Sequence, residues 1–260
     1  MTVHTSLPLT GERTVPDVVP ENYWFRRHEA AYHWVERHFA KLIRDGVVVD
    51  AGCGEGYGIN VLADNGPATA LGLELDELTA AHAKAKYPAL TSISRANLDA
   101  LPLRDDSVDL LVSMQVIEHL WDLPGFLREC FRVTSPSGNC VLTTPNRLTF
   151  SPGLQRGQKP TNPFHVEEFD AQQLLELMQS AGFTDVAVLG LRHGTRLTNW
   201  ESVHGSVIDA QVYAALTDSP WSPELAEIVA SVDCGDFLID PADVDTSGDL
   251  LVIAKATGEC

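Results

Sequence analysis

Two histidines are the side chains best suited to move a proton in this chain: His119, in Gln115-Val116-Ile117-Glu118-His119, and His165, in Pro163-Phe164-His165-Val166-Glu167-Glu168. Imidazole titrates near neutral pH and can take a proton from a hydroxyl as a general base. Far upstream, the β-branched run Val47-Val48-Val49 ends in Asp50 and breaks into Ala51-Gly52-Cys53-Gly54-Glu55-Gly56-Tyr57-Gly58. Glycine lacks a Cβ and tolerates positive φ, so the backbone can turn sharply there and press its amides against a ligand just before a helix begins. A second apolar run, Ala70-Leu71-Gly72-Leu73-Glu74-Leu75, carries Glu74 at its C-terminal end, where ligands of open α/β sheets bind. A carboxylate there accepts two hydrogen bonds from a cis-diol, so a turn and a ribose clamp together point to a nucleoside.

The glycine spacing separates two nucleotide classes. A dinucleotide fingerprint G-x-G-x-x-G needs its third glycine at Tyr57 if counted from Gly52, or at Ile59 if counted from Gly54, and neither is glycine. The elements that position the turn read as alternating strands and helices. Helix-compatible residues run from Ile59 to Asn65, and strands are expected at Val108–Met114, Cys140–Thr144, Phe183–Leu191 and Asp249–Ala256. Phe25, His28, Tyr32, Val35, Phe39 and Leu42 recur at spacings of three and four, one apolar stripe of a helix that packs on the sheet. The loop from Asn146 to Asp170 is too long for a minimal connection and reads as a substrate-contacting segment. Asp170 with Gln173 marks a capping box, and Leu174, Leu175, Leu177 and Met178 form the buried face of the helix that follows.

The Asp50-Ala51-Gly52-Cys53-Gly54 segment resembles motif I of the class I S-adenosylmethionine (SAM)-dependent methyltransferases. Glu74 matches the family's ribose ligand. Arg95-Ala96-Asn97-Leu98-Asp99-Ala100-Leu101-Pro102 is similar to its G-D-A-x-x-L-P segment, with Asn97 where Asp is usual, and Gln115 to Asp122 matches its motif IV region. The resemblance implies an α/β fold: a seven-stranded Rossmann-like sheet with flanking helices and a helical insertion between strands six and seven. It implies SAM as cofactor, held by Asp50, Gly52, Cys53, Gly54, Tyr57, Glu74, Leu75, Asn97, Leu98 and Gln115. Asn97 would read the adenine amino group and the Leu98 amide the ring, while Arg27 or His28 would meet the methionine carboxylate. Cys53 also reads simply as packing under the turn. Glu118, His119 and His165 resemble the metal ligands of Mg-dependent methyltransferases, although Gln115 stands where those carry a second carboxylate, and Mg2+ prefers charged oxygen to imidazole.

Composition sets the remaining bounds. With 260 residues, 44% of them hydrophobic, the chain can bury a full core. No apolar run approaches the ~18 residues of a membrane helix, and Pro8, Gly11, Glu12 and Arg13 interrupt any secretion-signal pattern, so a cytoplasmic enzyme with no membrane partner is expected. Five irregularly spaced cysteines suit reduced thiols. The net charge of -18 argues against nucleic acid, and Arg147, Arg156 and Lys159 are the candidates for a local basic stripe. The expected organisation is an extended arm and packing helix over 1–44, a SAM-binding core over 45–199, an insertion over 200–248 that forms a cap or a homodimer surface, and a last core strand over 249–260.

Met114-Gln115-Val116-Ile117 stands where amide-nitrogen methyltransferases carry N-P-P-Y or D-P-P-Y, which disfavours an amide acceptor. Tyr23, Trp24, Trp121 and Phe164 could stack on sugar faces. The opening Thr10 to Thr14, the Tyr23 to His28 entry and Ile208 to Gln211 resemble methyltransferases of polymethylated polysaccharide assembly in actinobacteria, including the sugar 1-O-methyltransferases of methylmannose polysaccharide synthesis. The implied acceptor is a small mannoside or related saccharide, with His119 or His165 as base. A phenol or quinone precursor as acceptor, and a non-catalytic SAM-binding protein, are the alternatives.

Overall fold

The structure is a computed structural model that describes residues 14–16, 18–87 and 92–256. Of the opening Thr10 to Thr14 segment, only Thr14 lies among them; the rest, and most of the expected arm, lies outside the described residues. Eight strands form one sheet: β1 (Val47–Ala51), β2 (Thr69–Glu74), β3 (Ser92–Arg95), β4 (Val108–Met114), β5 (Thr134–Pro145), β6 (Thr184–His193), β7 (Phe237–Asp240) and β8 (Asp249–Lys255). Their order is β3-β2-β1-β4-β5-β8-β6-β7. The first five run parallel, and β8 inserts antiparallel between β5 and β6. This is the expected α/β sheet with one strand more. The extra strand, β7, has four residues and pairs antiparallel with the outer side of β6, too short to leave a periodic pattern in the sequence.

Parallel strands covered on both faces are apolar throughout, and in β1 Val48, Val49 and Ala51 are fully buried. One face packs against α1 (Asn22–His38) and α3 (Tyr57–Ala63), the other against α5 (Leu123–Val133) and α7 (Ala171–Ser180). The apolar stripe from Phe25 to Leu42 is divided: α1 ends at Phe39, whose φ of -110° and ψ of 17° leave the helical region, and α2 (Ala40–Ile43) follows. Between β2 and β3 lies α4 (Glu77–Lys86), and α6 (Arg147–Phe150) is a single turn after β5. Asp170 caps α7 through the Gln173 amide at 2.8 Å, but the Gln173 side chain donates to Glu167 at 2.6 Å instead of returning to the cap.

Residues 195–240 form α8 (Thr195–His204), α9 (Val207–Thr217), α10 (Pro223–Ser231) and β7. The insertion is therefore mixed, and its first helix starts before residue 200. It seats on α1: Asn22 Nδ2 donates to the carbonyls of Val229 and Val232, each at 2.9 Å, and Leu225, Ile228 and Val229 join the core under Trp34 and Val35. Arg147 is buried and paired with Asp170, and Arg156 pairs with Glu176, so these two guanidinium groups build no basic stripe. Among the described residues no helix is long and apolar enough to cross a membrane.

Candidate active site

A cavity of about 450 Å3 opens at the C-terminal ends of β1, β2 and β4. Gly52, Cys53, Gly54, Tyr57, Glu74, Leu75, Asn97, Leu98 and Gln115 all line it, so four segments separated along the chain converge on one space. The turn after β1 is built by the left-handed backbone of Gly52 (φ +86°) and Gly54 (φ +52°). A Cβ on Gly52 would stand 2.6 Å from Val116 Cγ2, whereas one on Gly54 would meet nothing within 4 Å, which leaves that stretch of backbone open to the cavity. Glu74 is held from behind: Oε2 accepts from the Gly54 amide and Oε1 from the Asp76 amide, each at 2.9 Å. Each carboxylate oxygen retains acceptor capacity for a diol.

Asp50 is fully buried at the end of β1 and does not line the cavity. Tyr32 donates to its Oδ2 at 3.0 Å, while Oδ1 has no partner among the described residues. Burial pushes the Asp50 carboxyl up to about 7, with nearby Glu74 adding to it and the Tyr32 hydroxyl opposing. Cys53 is buried beside Gly72, and burial raises its thiol far above the usual range, so it packs as an inert group under the turn. Asn97 faces the cavity, but its Oδ1 already accepts from the Asp99 amide at 3.2 Å.

Four further expected contacts, Arg27, Tyr23, Trp24 and Trp121, are not in the cavity lining. Arg27 is buried and ion-paired with Asp249, 222 residues away, with its guanidinium over the rings of Trp24 and Phe150. Tyr23 is fully buried and its hydroxyl meets His193 Nε2 at 2.6 Å, and Trp24 packs on the same core. Trp121 is 90% exposed and also outside the lining, which leaves Phe164 as the aromatic candidate that reaches it. His28, not Arg27, is the residue of the Tyr23 to His28 entry that lines the cavity. Burial, reinforced by the Arg27 charge, holds its imidazole down at about 3, so it is neutral. The sequence reading passed over Thr14, Tyr32, Glu55, Met114, Val116 and Leu120, which also line the space. No residue of the 195–240 insertion does.

The long loop after β5 folds back onto the turn after β4. Val166 N donates to the Glu118 carbonyl at 2.7 Å, and His119 Nδ1 meets the Phe164 carbonyl at 3.0 Å. A carbonyl only accepts, so the His119 proton sits on Nδ1 and Nε2 carries the lone pair. Glu118 Oε1 lies 3.8 Å from that Nε2. Glu118 itself is buried, accepts from Thr144 at 3.0 Å on Oε2, and is pushed up to about 7 by burial. His165 lies behind: Nδ1 faces Glu168 Oε1 at 2.8 Å and Nε2 faces Asn162 Nδ2 at 3.1 Å, and the ring is not part of the lining. Glu118, His119 and His165 bring one ligand atom each within 4.8 Å of one another. One carboxylate and two imidazoles suit a borderline transition ion better than Mg2+, which seeks oxygen donors.

Residues 49–142 match the family described as a methyltransferase domain. A probable S-adenosylmethionine-dependent methyltransferase of Mycolicibacterium smegmatis is 48% identical over 254 residues, 96% of this chain and 95% of that protein. The mitochondrial ubiquinone biosynthesis O-methyltransferase of Bos taurus is 27% identical over 195 residues, 69% of this chain and 52% of that one. Among solved structures, a SAM-dependent methyltransferase of Thermotoga maritima, described as a possible histamine N-methyltransferase, superposes with a TM-score of 0.59 at 16% identity, covering 90% of this chain and 94% of the other, a likeness of fold alone. With a glycine turn, the Glu74 carboxylate and His119 around one cavity, and a relative matched over nearly its whole length, the chain belongs to the class I SAM-dependent methyltransferases.

Proposed function

We propose that the protein is an O-methyltransferase acting on a hydroxyl of a small saccharide, with His119 as the general base. One observation carries the assignment of the base: His119 lines the cavity, and the Phe164 carbonyl faces its Nδ1, which leaves Nε2 as the nitrogen to accept a proton. His165 has both ring nitrogens engaged by Glu168 and Asn162, which fits a positioning role in the loop that carries Phe164. When bound, SAM supplies a sulfonium methyl group for an in-line displacement. Glu74 would hold the ribose, and the Asn97 to Leu98 segment the adenine.

His119 Nε2 takes the acceptor's hydroxyl proton as the oxygen becomes nucleophilic. The resulting imidazolium is stabilised by the Glu118 carboxylate nearby. Phe164, 53% exposed at the cavity mouth, offers an apolar face to a sugar ring and screens the reacting atoms from water. A divalent ion at Glu118, His119 and His165 would take up the His119 Nε2 lone pair and polarise the acceptor oxygen in place of general-base catalysis. A phenol or quinone precursor is the second reading, favoured by the likeness to the ubiquinone O-methyltransferase over 69% of this chain.

The test is transfer of label from methyl-labelled SAM to mannosides, glucosides and catechols, with divalent metal or EDTA, for the wild type and His119→Ala. Transfer to a saccharide that collapses in His119→Ala, with SAM binding retained, supports the reading. Transfer only to catechols promotes the second reading, and undiminished turnover in His119→Ala removes His119 as base. Turnover that survives exhaustive metal stripping excludes a metal from the mechanism.

A further inference from the structure

Beside the face of α1 that lines the cofactor cavity, and outside that lining, three metal-ligating side chains of different chemistry meet. Glu29 and His33 stand one turn apart, at i and i+4, on the same face of α1. Cys234 opens the short turn Cys234–Asp236 that leads into β7, and its Sγ approaches Glu29 Oε2 to 2.9 Å across 205 residues of chain. One ligand atom from each of Glu29, His33 and Cys234 lies within 4.8 Å of the other two. We propose that these three residues form a site for a borderline divalent transition ion of the zinc class, separate from the methyl-transfer site and independent of the function proposed above.

Three further features make this more than a meeting of polar side chains. His33 Nδ1 is engaged by Glu36 Oε2 at 2.9 Å, and Glu36 Oε1 is in turn held by Asn65 Nδ2 at 2.9 Å. A carboxylate accepts from Nδ1–H and leaves the lone pair on Nε2, the arrangement that orients a metal-binding imidazole. The turn bearing Cys234 is rigid: Asp233 and Asp236 cap each other reciprocally, Arg196 pairs with Asp236 at 2.6 Å, and the Gly194 amide donates to the Asp236 carbonyl at 2.7 Å. A cavity of about 120 Å3, lined by His33, Cys234, Trp34, Arg37 and Gly235 among others, adjoins the cluster and gives room for a water as fourth ligand.

Thiolate, imidazole and carboxylate are the donors of tetrahedral zinc-type sites. Binding replaces the thiol proton: the Cys234 S–H bond breaks, an S–metal bond forms, and the proton leaves to solvent. Arg26 opposes this. Its guanidinium pairs with Glu29 Oε2 at 2.6 Å and is 39% exposed, so an incoming cation must displace it toward water. Once bound, the ion would fasten the insertion to α1 at a point where the two are joined otherwise by packing and by Asn22.

The test is titration of the metal-stripped protein with Co2+, read by the near-ultraviolet thiolate-to-cobalt charge-transfer band, and with Zn2+, read by the thermal midpoint. The band is expected at one equivalent in the wild type and in His119→Ala, and absent in Cys234→Ser. Glu36→Gln should weaken binding by about tenfold or more, and Arg26→Met should strengthen it. In the His119→Ala background, which removes a ligand of the other cluster, Zn2+ should raise the midpoint and should leave that of His119→Ala/Cys234→Ser unchanged, with SAM binding showing that the variants are folded. No thiolate band in the wild type, or a band that persists in Cys234→Ser, overturns the proposal.

Discussion

Gly58 sets two physical effects against each other, and the structure says which wins. It sits in the first turn of α3, where alanine is the better helix former by about 1 kcal/mol, so propensity alone predicts that Gly58→Ala stabilises the protein. A Cβ at that position would lie 2.0 Å from Tyr32 Cζ and 2.3 Å from the ring carbon beside it. The ring is fixed: it is buried, stacks edge-on against Tyr57 with centroids 5.6 Å apart, and donates to Asp50 at 3.0 Å. Overpacking of this kind costs about 1–3 kcal/mol, and yielding by the ring would sacrifice a bond to a carboxylate worth about 1.5–3 kcal/mol. At an approach of 2.0 Å the cost falls at the upper end of these ranges, about 2–3 kcal/mol, so after the propensity gain Gly58→Ala is expected to lose about 1–2 kcal/mol and to weaken SAM binding, because the glycine turn ends where α3 starts. Denaturant melts of the wild type, both single variants and Gly58→Ala/Tyr32→Ala form the cycle. In the Tyr32→Ala background the clash is gone and Gly58→Ala should turn mildly stabilising. An unchanged or increased stability of Gly58→Ala in the wild-type background, or the same loss in both backgrounds, would refute the argument.

Asp249→Ala should cost about 3–5 kcal/mol, because it leaves the buried Arg27 guanidinium without its counter-charge; a denaturant midpoint close to that of the wild type would contradict this. His28 supplies a pH test. Its folded value of about 3 lies below the unfolded value near 6.5, so the neutral ring contributes stability that is present above 6.5 and lost as pH falls toward 3. The His28→Gln variant should therefore lose less stability than the wild type between pH 6.5 and 4, and parallel pH profiles would show that His28 protonates freely in the folded protein.

The sheet and the cofactor cavity were legible because their signals are local. A β-branched run broken by glycines, a carboxylate closing the next strand and the Asn97 to Leu98 segment each mark a strand end, and parallel strands bring such ends together. Most residues expected to touch SAM do line one space. Arg27 and Tyr23 misled because aromatic and cationic residues near a helix start look alike whether they face a ligand or the core. What decides the matter is a partner far along the chain, Asp249 for Arg27 and His193 for Tyr23, and no periodicity reports that. The two histidines could not be ranked from sequence either. Their difference lies in hydrogen-bond partners set by the fold of the loop after β5, which gives His119 a carbonyl and His165 a carboxylate and an amide. The edge strand β7 escaped because four residues carry too little pattern, and the long arm of β5 because Ser135-Pro136-Ser137-Gly138 reads as a turn.

The claim on which the rest depends is that the cavity holds SAM with its ribose on Glu74. Calorimetric titration with S-adenosylhomocysteine and its 2′-deoxy analogue, for the wild type and Glu74→Gln, tests it directly. One ligand per chain is expected, with a preference of the wild type for the ribose form of about tenfold or more, as follows from a lost bond to a carboxylate worth about 1.5–3 kcal/mol, and with most of that preference lost in Glu74→Gln. Equal affinity of the wild type for the two ligands, or an undiminished preference in Glu74→Gln, would contradict it.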